Sequence, residues 1–233
     1  MTRVLVSGAT GKLGAPICAA ISAADDLVLA GRVARSLTGD GGFATLYVAI
    51  AATEADVVVD VTAPDAGLPH TLATIAAGLP MVLGTTGMTP EGAAEIDAAA
   101  VAAGVPVLFV PNFSITAVLM MRFAAQAARY LPDCAIVEEH HVAKLDSPSG
   151  TALRTADLVE VACGRRPEIA SVRLEGLVAN QSVLFGSTAQ TLEIRNVTTS
   201  REAFVPGALL AIRGVQTLAP GLHVGLELLL DSV

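Results

Sequence analysis

The run Glu138-Glu139-His140-His141-Val142-Ala143-Lys144-Leu145-Asp146-Ser147-Pro148-Ser149-Gly150-Thr151 gathers two of the chain's four histidines, a lysine and the marks of a helix start. An imidazole can give or take a proton near neutral pH as a hydride arrives, and an ammonium can protonate a nitrogen or hold an anion. Ser147 or Ser149 can cap the following helix, and exposed N–H groups near Gly150 and Thr151 then form a seat for a carboxylate. The set suits reduction of an anionic C=N or C=C substrate. Neighbouring residues on a straight strand point to opposite faces, so a turn is expected beside His140 and His141. A histidine pair alone would more often make surface or structural hydrogen bonds. Lys144 and the Ser-Gly-Thr helix start favour chemistry instead. No metal is expected, because adjacent histidines are poor joint ligands and no cysteine or carboxylate stands at the usual spacing.

A second signal lies near the N-terminus, where Val4-Leu5-Val6-Ser7 runs straight into Gly8-Ala9-Thr10-Gly11-Lys12-Leu13-Gly14. A buried strand, a glycine turn and a helix start let backbone N–H groups and the positive helix end approach a pyrophosphate. The spacing is GxxGxxG rather than GxGxxG, so it supports a dinucleotide without naming an enzyme; a plain glycine turn is the bland alternative. The second strand ends in Leu29-Ala30-Gly31-Arg32 with Arg35 close behind, and neither position offers the carboxylate that receives ribose hydroxyls in NAD-preferring sites. A guanidinium suits a 2′-phosphate, so NADPH is expected to serve at least as well as NADH. Two solvated surface arginines are the open alternative. Three further turns follow strands: Val61-Thr62-Ala63-Pro64, Gly84-Thr85-Thr86-Gly87 and Pro111-Asn112-Phe113-Ser114. Ligands of doubly wound sheets sit at such ends, where glycines permit close approach and hydroxyls and amides supply neutral hydrogen bonds.

The elements that carry these turns follow from pattern. Strands are expected at 3–7, 27–31, 56–62, 80–83 and 106–110, alternating with helices at 12–23, 65–77 and 90–103. This is the texture of a parallel sheet covered on both faces. Residues 36–55 are ambiguous. Beyond Pro111 the pattern predicts a helix over 115–130, a strand over 134–139, a helix from Gly150, and strands over 171–179, 182–186 and 191–196. These suggest a separate mixed or antiparallel sheet. A helix over 208–215 and an apolar strand over 222–229 close the chain, and that strand can return to the first sheet.

At 233 residues the chain is long enough for a nucleotide-binding domain and a smaller partner. Hydrophobic residues make up 53% and charged residues 15%, with no Trp, so the core is built from Ala, Val, Leu and Ile. The net charge of −8, with scattered Lys and Arg, argues against nucleic acid as a ligand. Cys18, Cys134 and Cys163 lack paired spacing and are read as reduced structural thiols. No secretory signal pattern follows Met1, so a cytoplasmic location is expected. The uncharged stretch from Ala98 to Met121 is broken by Gly104, Pro106, Pro111 and Asn112, which exclude a spanning helix, so no membrane partner is expected.

Taken together, these motifs resemble the 4-hydroxy-tetrahydrodipicolinate reductase family (dihydrodipicolinate reductases), most closely its actinobacterial forms. The resemblance rests on Gly8–Gly14, Gly84–Gly87, Pro111–Ser114, Glu139-His140-His141 with Lys144 and Ser147-Pro148-Ser149-Gly150-Thr151, and Arg201, Phe204 and Pro206-Gly207-Ala208. It implies an α/β fold with two parts. One is a Rossmann-like parallel-sheet domain over 1–111 and 203–233; the other is a smaller α+β substrate-binding and oligomerisation domain with a mixed sheet over 112–202. It implies reduction of a cyclic imine dicarboxylate in lysine and diaminopimelate biosynthesis, with NADPH or NADH as cofactor, by a homotetramer. The implied cofactor contacts are Gly8, Ala9, Thr10, Gly11, Lys12, Leu13, Gly84, Thr85, Thr86, Val110, Pro111, Asn112 and Phe113, with Arg32 added from the strand-end argument. The implied roles are His140 as proton donor or acceptor, Lys144 as proton donor, and His141, Gly150 and Thr151 as substrate ligands. Asn180 stands where the family is expected to have His, Asn196-Val197 replaces a common His-Asp, and the segment 163–171 is short. A reductase of the same architecture acting on another cyclic imine, and a non-catalytic NAD(P)-binding sensor, are the alternatives.

Overall fold

Val4-Leu5-Val6, Val57-Val58-Val59 and Met81-Val82-Leu83 carry no polar interruption and are at most 2% exposed, as strands covered by helices on both faces require. The computed structural model describes residues 1–85 and 87–230. These residues form two compact units, Met1–Phe113 together with the segment that begins at Phe204, and Ser114–Ala203.

The first unit begins with β1 (Thr2–Ser7), α1 (Gly14–Ala23), β2 (Leu27–Val33), β3 (Gly42–Phe43) and α2 (Leu46–Ala52). It continues with β4 (Val57–Asp60), α3 (Pro64–Ala76), β5 (Met81–Leu83), α4 (Pro90–Ala103) and β6 (Pro106–Phe109). The second unit holds α5 (Ile115–Ala128), β7 (Asp133–His140), α6 (Gly150–Cys163), β8 (Glu168–Arg173), β9 (Ala179–Ser187) and β10 (Gln190–Asn196). The chain then returns to the first unit as α7 (Val205–Gly214), β11 (Gly221–Val224) and α8 (Glu227–Leu230).

Among the described residues the first unit has one seven-stranded sheet in the order β11-β6-β5-β4-β1-β2-β3, with every pairing parallel. The chain moves outward from β1 in one direction and from β4 in the other. The switch point therefore lies between β1 and β4, where open α/β sheets bind ligands. The crevice is tight at its base: Gly8 has φ +85°, and a β-carbon there would stand 2.7 Å from the Val61 carbonyl oxygen. On one face Leu46 and Ala49 of α2 pack with Leu5, Val33 and Val58. Met81 and Val107 pack with Ile96 and Ala100 of α4 in a second cluster.

Thr89 accepts a hydrogen bond from Gly92 N at 3.1 Å and Pro90 opens α4, as capping chemistry predicts. The ambiguous segment resolves into the two-residue β3 and into α2, whose Thr45 hydroxyl accepts from Val48 N. The apolar C-terminal run is strand only to Val224: Gly225 at φ +102° ends it, and the chain continues as α8. β11 pairs with β6 in parallel, Gly221 opposite Pro106, so the last strand does return to the first sheet. Helix α7 begins earlier than the 208 expected, because Pro206 sits in its first turn, where a missing N–H costs nothing.

In the second unit the sheet order is β10-β9-β7-β8, mixed as expected, with β7 parallel to β8 and antiparallel to β9. The single strand expected over 171–179 is wrong. A turn at Glu175-Gly176, with Gly176 at φ +82°, separates β8 from β9, and the apolar Leu174, Leu177 and Val178 on either side of it masked the break. Cys18, Cys134 and Cys163 are unpaired.

Candidate active site

The glycine turn after β1 is closed by its own backbone. Gly8 N and Ala9 N both donate to the Val33 carbonyl at 3.0 Å, and Gly11 N donates to Gly8 O at 2.9 Å. Those three N–H groups are committed, whereas among the described residues Thr10, Lys12 and Leu13 donate no such backbone hydrogen bond, and N–H groups at a helix start suit an anion. A β-carbon on Gly14 would overlap the Gly8 carbonyl oxygen and lie 2.8 Å from its carbon, so the turn closes only on glycine. A cleft of about 790 Å³ opens beside it, lined by Ser7, Gly8, Thr10 and Gly11 and by Arg35, Tyr47 and His70. Ser7 Oγ in its wall is fully buried and has no hydrogen-bond partner among the described residues, which suits a ligand's polar atom. A dinucleotide's phosphates fit this cradle.

Arg32 lies exposed on β2 and is not part of the cleft wall, whereas Arg35, two residues beyond the strand, is. Of the two arginines at this strand end, Arg35 is the one placed beside the cleft. Gly84 lies against the Phe113 ring, so a side chain there would displace an aromatic that is 3% exposed. Val110 is fully buried, backbone included. Thr86 lies outside the described residues. Pro111 is exposed and Asn112 half-buried in the turn after β6.

Asp60, at the end of β4, went unremarked in the sequence. Its fully buried carboxylate accepts from Thr62 N at 3.0 Å, from the Thr62 hydroxyl, from the Thr85 hydroxyl at 2.7 Å, and pairs with His70 Nδ1 at 2.6 Å. Burial is the largest influence and pushes its pKa up, but the bonds from His70, Thr62 and Thr85 outweigh it and hold the carboxyl below its ordinary value. Thr62 and Thr85 thus use their hydroxyl protons to fix two strand-end turns rather than to meet a ligand. A carboxylate directly after an all-valine buried strand was the available signal.

In the second unit the two-residue period of β7 places Ile136, Glu138 and His140 on one face and Glu139 on the other. Ile136 and Glu138 are fully buried, while Glu139 pairs with Arg195 at 2.9 Å. The strand ends at His140, and the chain turns at once, with Lys144 N donating to His141 O at 3.0 Å. The expected turn is therefore present, and the two imidazoles have different settings.

His140 Nδ1 contacts the Glu138 carboxylate, which favours a proton on Nδ1 and leaves Nε2 for exchange. Burial pushes the His140 pKa below its ordinary value, against the opposing pull of Glu138, and Lys144 and Arg173 add to the lowering. His141 Nδ1 accepts from Ala143 N at 3.0 Å, so its proton sits on Nε2 and can be donated to an anion. Lys144 Nζ pairs with both oxygens of Asp146, at 2.7 and 2.8 Å. Ser149 caps α6 by accepting from Ala152 N at 3.2 Å, which leaves Gly150 and Thr151 in the first turn.

Glu138 also receives a two-pronged grip from Arg173, at 2.9 and 2.8 Å. Burial pushes its carboxyl up, yet the Arg173, Ser171 and His140 bonds prevail and hold it at about 2. Its pKa is lower folded than unfolded, so its contribution to stability is complete above roughly pH 5 and fades as pH falls toward 2. Glu138→Gln is accordingly expected to flatten the pH dependence of unfolding free energy between those limits, as urea titrations at successive pH values would read. An unchanged slope would contradict the ionised, paired carboxylate.

Among the described residues no group of three His, Cys, Asp or Glu is placed to hold a metal ion, and no helix is long and apolar enough to cross a membrane. Comparison with known proteins places this arrangement. The family described as "Dihydrodipicolinate reductase, N-terminus" matches residues 2–113, and "Dihydrodipicolinate reductase, C-terminus" matches residues 116–230. The 4-hydroxy-tetrahydrodipicolinate reductase of Mycolicibacterium smegmatis is 43% identical over 98% of this chain and 99% of its own. That of Moorella thermoacetica is 39% identical, with 98% of each covered. The dipicolinate-bound dihydrodipicolinate reductase from Paenisporosarcina sp. TG-14 superposes with a TM-score of 0.89 at 30% identity, covering 97% of this chain and 98% of that one. A turn that seats phosphates, an oriented imidazole at a strand end and relatives matched from end to end agree: the chain belongs to the dihydrodipicolinate reductase family.

Proposed function

We propose that the protein converts 4-hydroxy-tetrahydrodipicolinate to tetrahydrodipicolinate with NAD(P)H and a proton, the 4-hydroxyl leaving as water and the hydride replacing it, in lysine and diaminopimelate biosynthesis. One observation carries the reading: a single strand, turn and helix start bring together a carboxylate-oriented imidazole, an ammonium and a helix N-terminus. Bound NAD(P)H supplies a hydride. Thr10, Lys12 and Leu13 hold its phosphates through their N–H groups, and Gly84, Thr85, Thr86 and the 110–113 turn border its nicotinamide half. The first unit is thus the cofactor domain and the second the substrate domain.

His141 Nε2–H and the first turn of α6, at Gly150 and Thr151, bind substrate carboxylates. Lys144 protonates the ring nitrogen, and His140 Nε2 exchanges a proton during turnover. Asp146 holds the ammonium in a partly exposed pair. Such a pair is worth little in water, so an incoming dicarboxylate can displace it. Catalysis needs no metal on this scheme, the enzyme works in the cytoplasm, and it assembles as a homotetramer through the mixed sheet.

The departures from the family pattern do structural work. Asn180 Oδ1 accepts from Thr198 N at 3.0 Å, and Asn196 Oδ1 accepts from the Thr116 hydroxyl at 2.6 Å. Both residues are buried, so neither argues for a different imine. The test is oxidation of NADPH and of NADH with the preceding synthase generating the unstable substrate in place. Oxidation that depends on the synthase is expected; its absence with both cofactors would end the assignment.

Arg35 is assigned to the 2′-phosphate. A charged hydrogen bond contributes about 1.5–3 kcal/mol, so Arg35→Ala is expected to raise KM for NADPH by roughly 10- to 100-fold and leave that for NADH nearly unchanged. Equal effects on both, or a large native preference for NADH, would remove that role.

A further inference from the structure

Three parts of the catalytic segment, the His140 ring, the Lys144 turn and the α6 cap, converge on one ion pair whose carboxylate is buried and whose guanidinium is partly so. Glu138 is fully buried on the core face of β7, two residues before His140. Arg173 ends β8 directly opposite His140 in the parallel register, so its side chain emerges on that same face. Its guanidinium grips both Glu138 oxygens, at 2.8 and 2.9 Å. The same group donates from Nη2 to the Asp146 carbonyl at 2.8 Å and from Nη1 to the Val172 carbonyl at 2.8 Å. Glu138 in turn meets His140 Nδ1 and accepts from Ser149 N at 3.3 Å, the residue that caps α6.

We infer that the Glu138–Arg173 pair is the positioning device of the catalytic segment: Glu138 selects the His140 tautomer that keeps Nε2 for proton exchange, and Arg173 anchors the Lys144–Asp146 turn to the same carboxylate. Neither residue touches substrate in this scheme. The chemistry favours a carboxylate at 138 for two reasons. An ionised acceptor makes a shorter and stronger bond to an imidazole N–H than a neutral one, and it stabilises the imidazolium that forms when Nε2 takes a proton. Arginine at 173 supplies a planar fork that can hold a carboxylate and a carbonyl at once, which the single ammonium of lysine cannot reproduce. Burial of Glu138 matters as well, because removing water strengthens the contacts that its carboxylate makes.

The inference rests on the proposed role of His140, and the experiment separates the two. His140→Ala, Glu138→Gln and Arg173→Lys are compared with the parent enzyme in the coupled assay over a range of pH. Glu138→Gln keeps the shape and removes the charge. Its kcat is expected to fall about 10²- to 10³-fold with KM for NADPH unchanged, as for loss of an orienting acid behind a catalytic imidazole. The charged groups around His140 are Glu138 on β7, Arg173 on β8, and Lys144 and Asp146 in the turn. Removing the negative one among them that bonds the ring moves the His140 limb of the kcat profile to lower pH. Arg173→Lys is expected to lower kcat and to leave that limb within half the displacement seen for Glu138→Gln.

If His140→Ala abolishes turnover while Glu138→Gln retains kcat within about threefold and an unmoved profile, the positioning role is overturned and the role of His140 stands. If His140→Ala is fully active, the reading of the site itself fails. Glu138→Gln leaves the half-buried Arg173 guanidinium without its counter-charge and can unfold the unit, so a measurement on the unsubstituted protein decides independently. Imidazole nitrogen shifts of His140, recorded where the ring is neutral, are expected to show the Nδ1–H form. The Nε2–H form would overturn the inference.

Discussion

His140→Ala and Lys144→Ala are each expected to lose about 10²- to 10⁴-fold in kcat while NAD(P)H binding is unchanged, the range that positioned acid and base groups contribute. The reason is architectural. Both side chains belong to the β7–α6 segment of the unit Ser114–Ala203, whereas the glycine turn and its cleft belong to the other unit. Truncating either side chain leaves no buried charge unpaired beyond what solvent can reach. His140 leaves Glu138 still gripped by Arg173, and Lys144 leaves Asp146, whose side chain is 60% exposed. Stability is therefore expected to change little, and the loss should fall on kcat. Steady-state kinetics together with fluorescence titration of NADPH would read both quantities. Unchanged turnover in both variants would leave the proposal without a proton path.

Gly14→Ala is expected to be the most damaging single methyl group in the phosphate turn, and Gly11→Ala a mild neighbour. A β-carbon on Gly14 overlaps the Gly8 carbonyl, which is itself held by Gly11 N and cannot yield without opening the turn. Overpacking of this kind costs about 1–3 kcal/mol or more. The proposed phosphate donors Thr10, Lys12 and Leu13 lie between the displaced groups, so NADPH affinity is expected to fall more than about tenfold. On Gly11 the β-carbon stands 3.0 Å from the same oxygen, and the backbone there has no positive φ. A shift of a few tenths of an ångström accommodates it, with a cost expected below about 1 kcal/mol. Thermal unfolding and calorimetric titration of NADPH on the two variants would show the ordering. Equal behaviour would mean that the turn is not closed on the Gly8 carbonyl.

Much of the site was readable in one dimension because its chemistry is local. The glycine turn, the Thr89-Pro90 helix start, the Ser149 cap and the His140–Thr151 run depend on neighbours within a few residues, where dihedral preference and capping dominate. The errors also share a cause. The expected strand over 171–179 ran through Gly176, and the one over 222–229 ran through Gly225, because hydrophobic runs outweighed a single glycine whose positive φ ends the strand. Proximity to the strand end points to Arg32, whereas the path of the chain past β2, which no local pattern specifies, sets Arg35 in the cleft wall.

The residue string alone establishes an alternating βα half with a phosphate turn, a mixed second half and a proton-handling segment, since period and turn chemistry are written in consecutive residues. Packing alone decides which charges serve that segment. Asp60 reaches Thr85 across 25 positions, and Glu138 meets Arg173 across 35, through strand pairings that no local pattern specifies. Burial then changes what those groups are. In water each would be an ordinary carboxylate, but enclosed among donors they become fixed negative charges around which the turns are built.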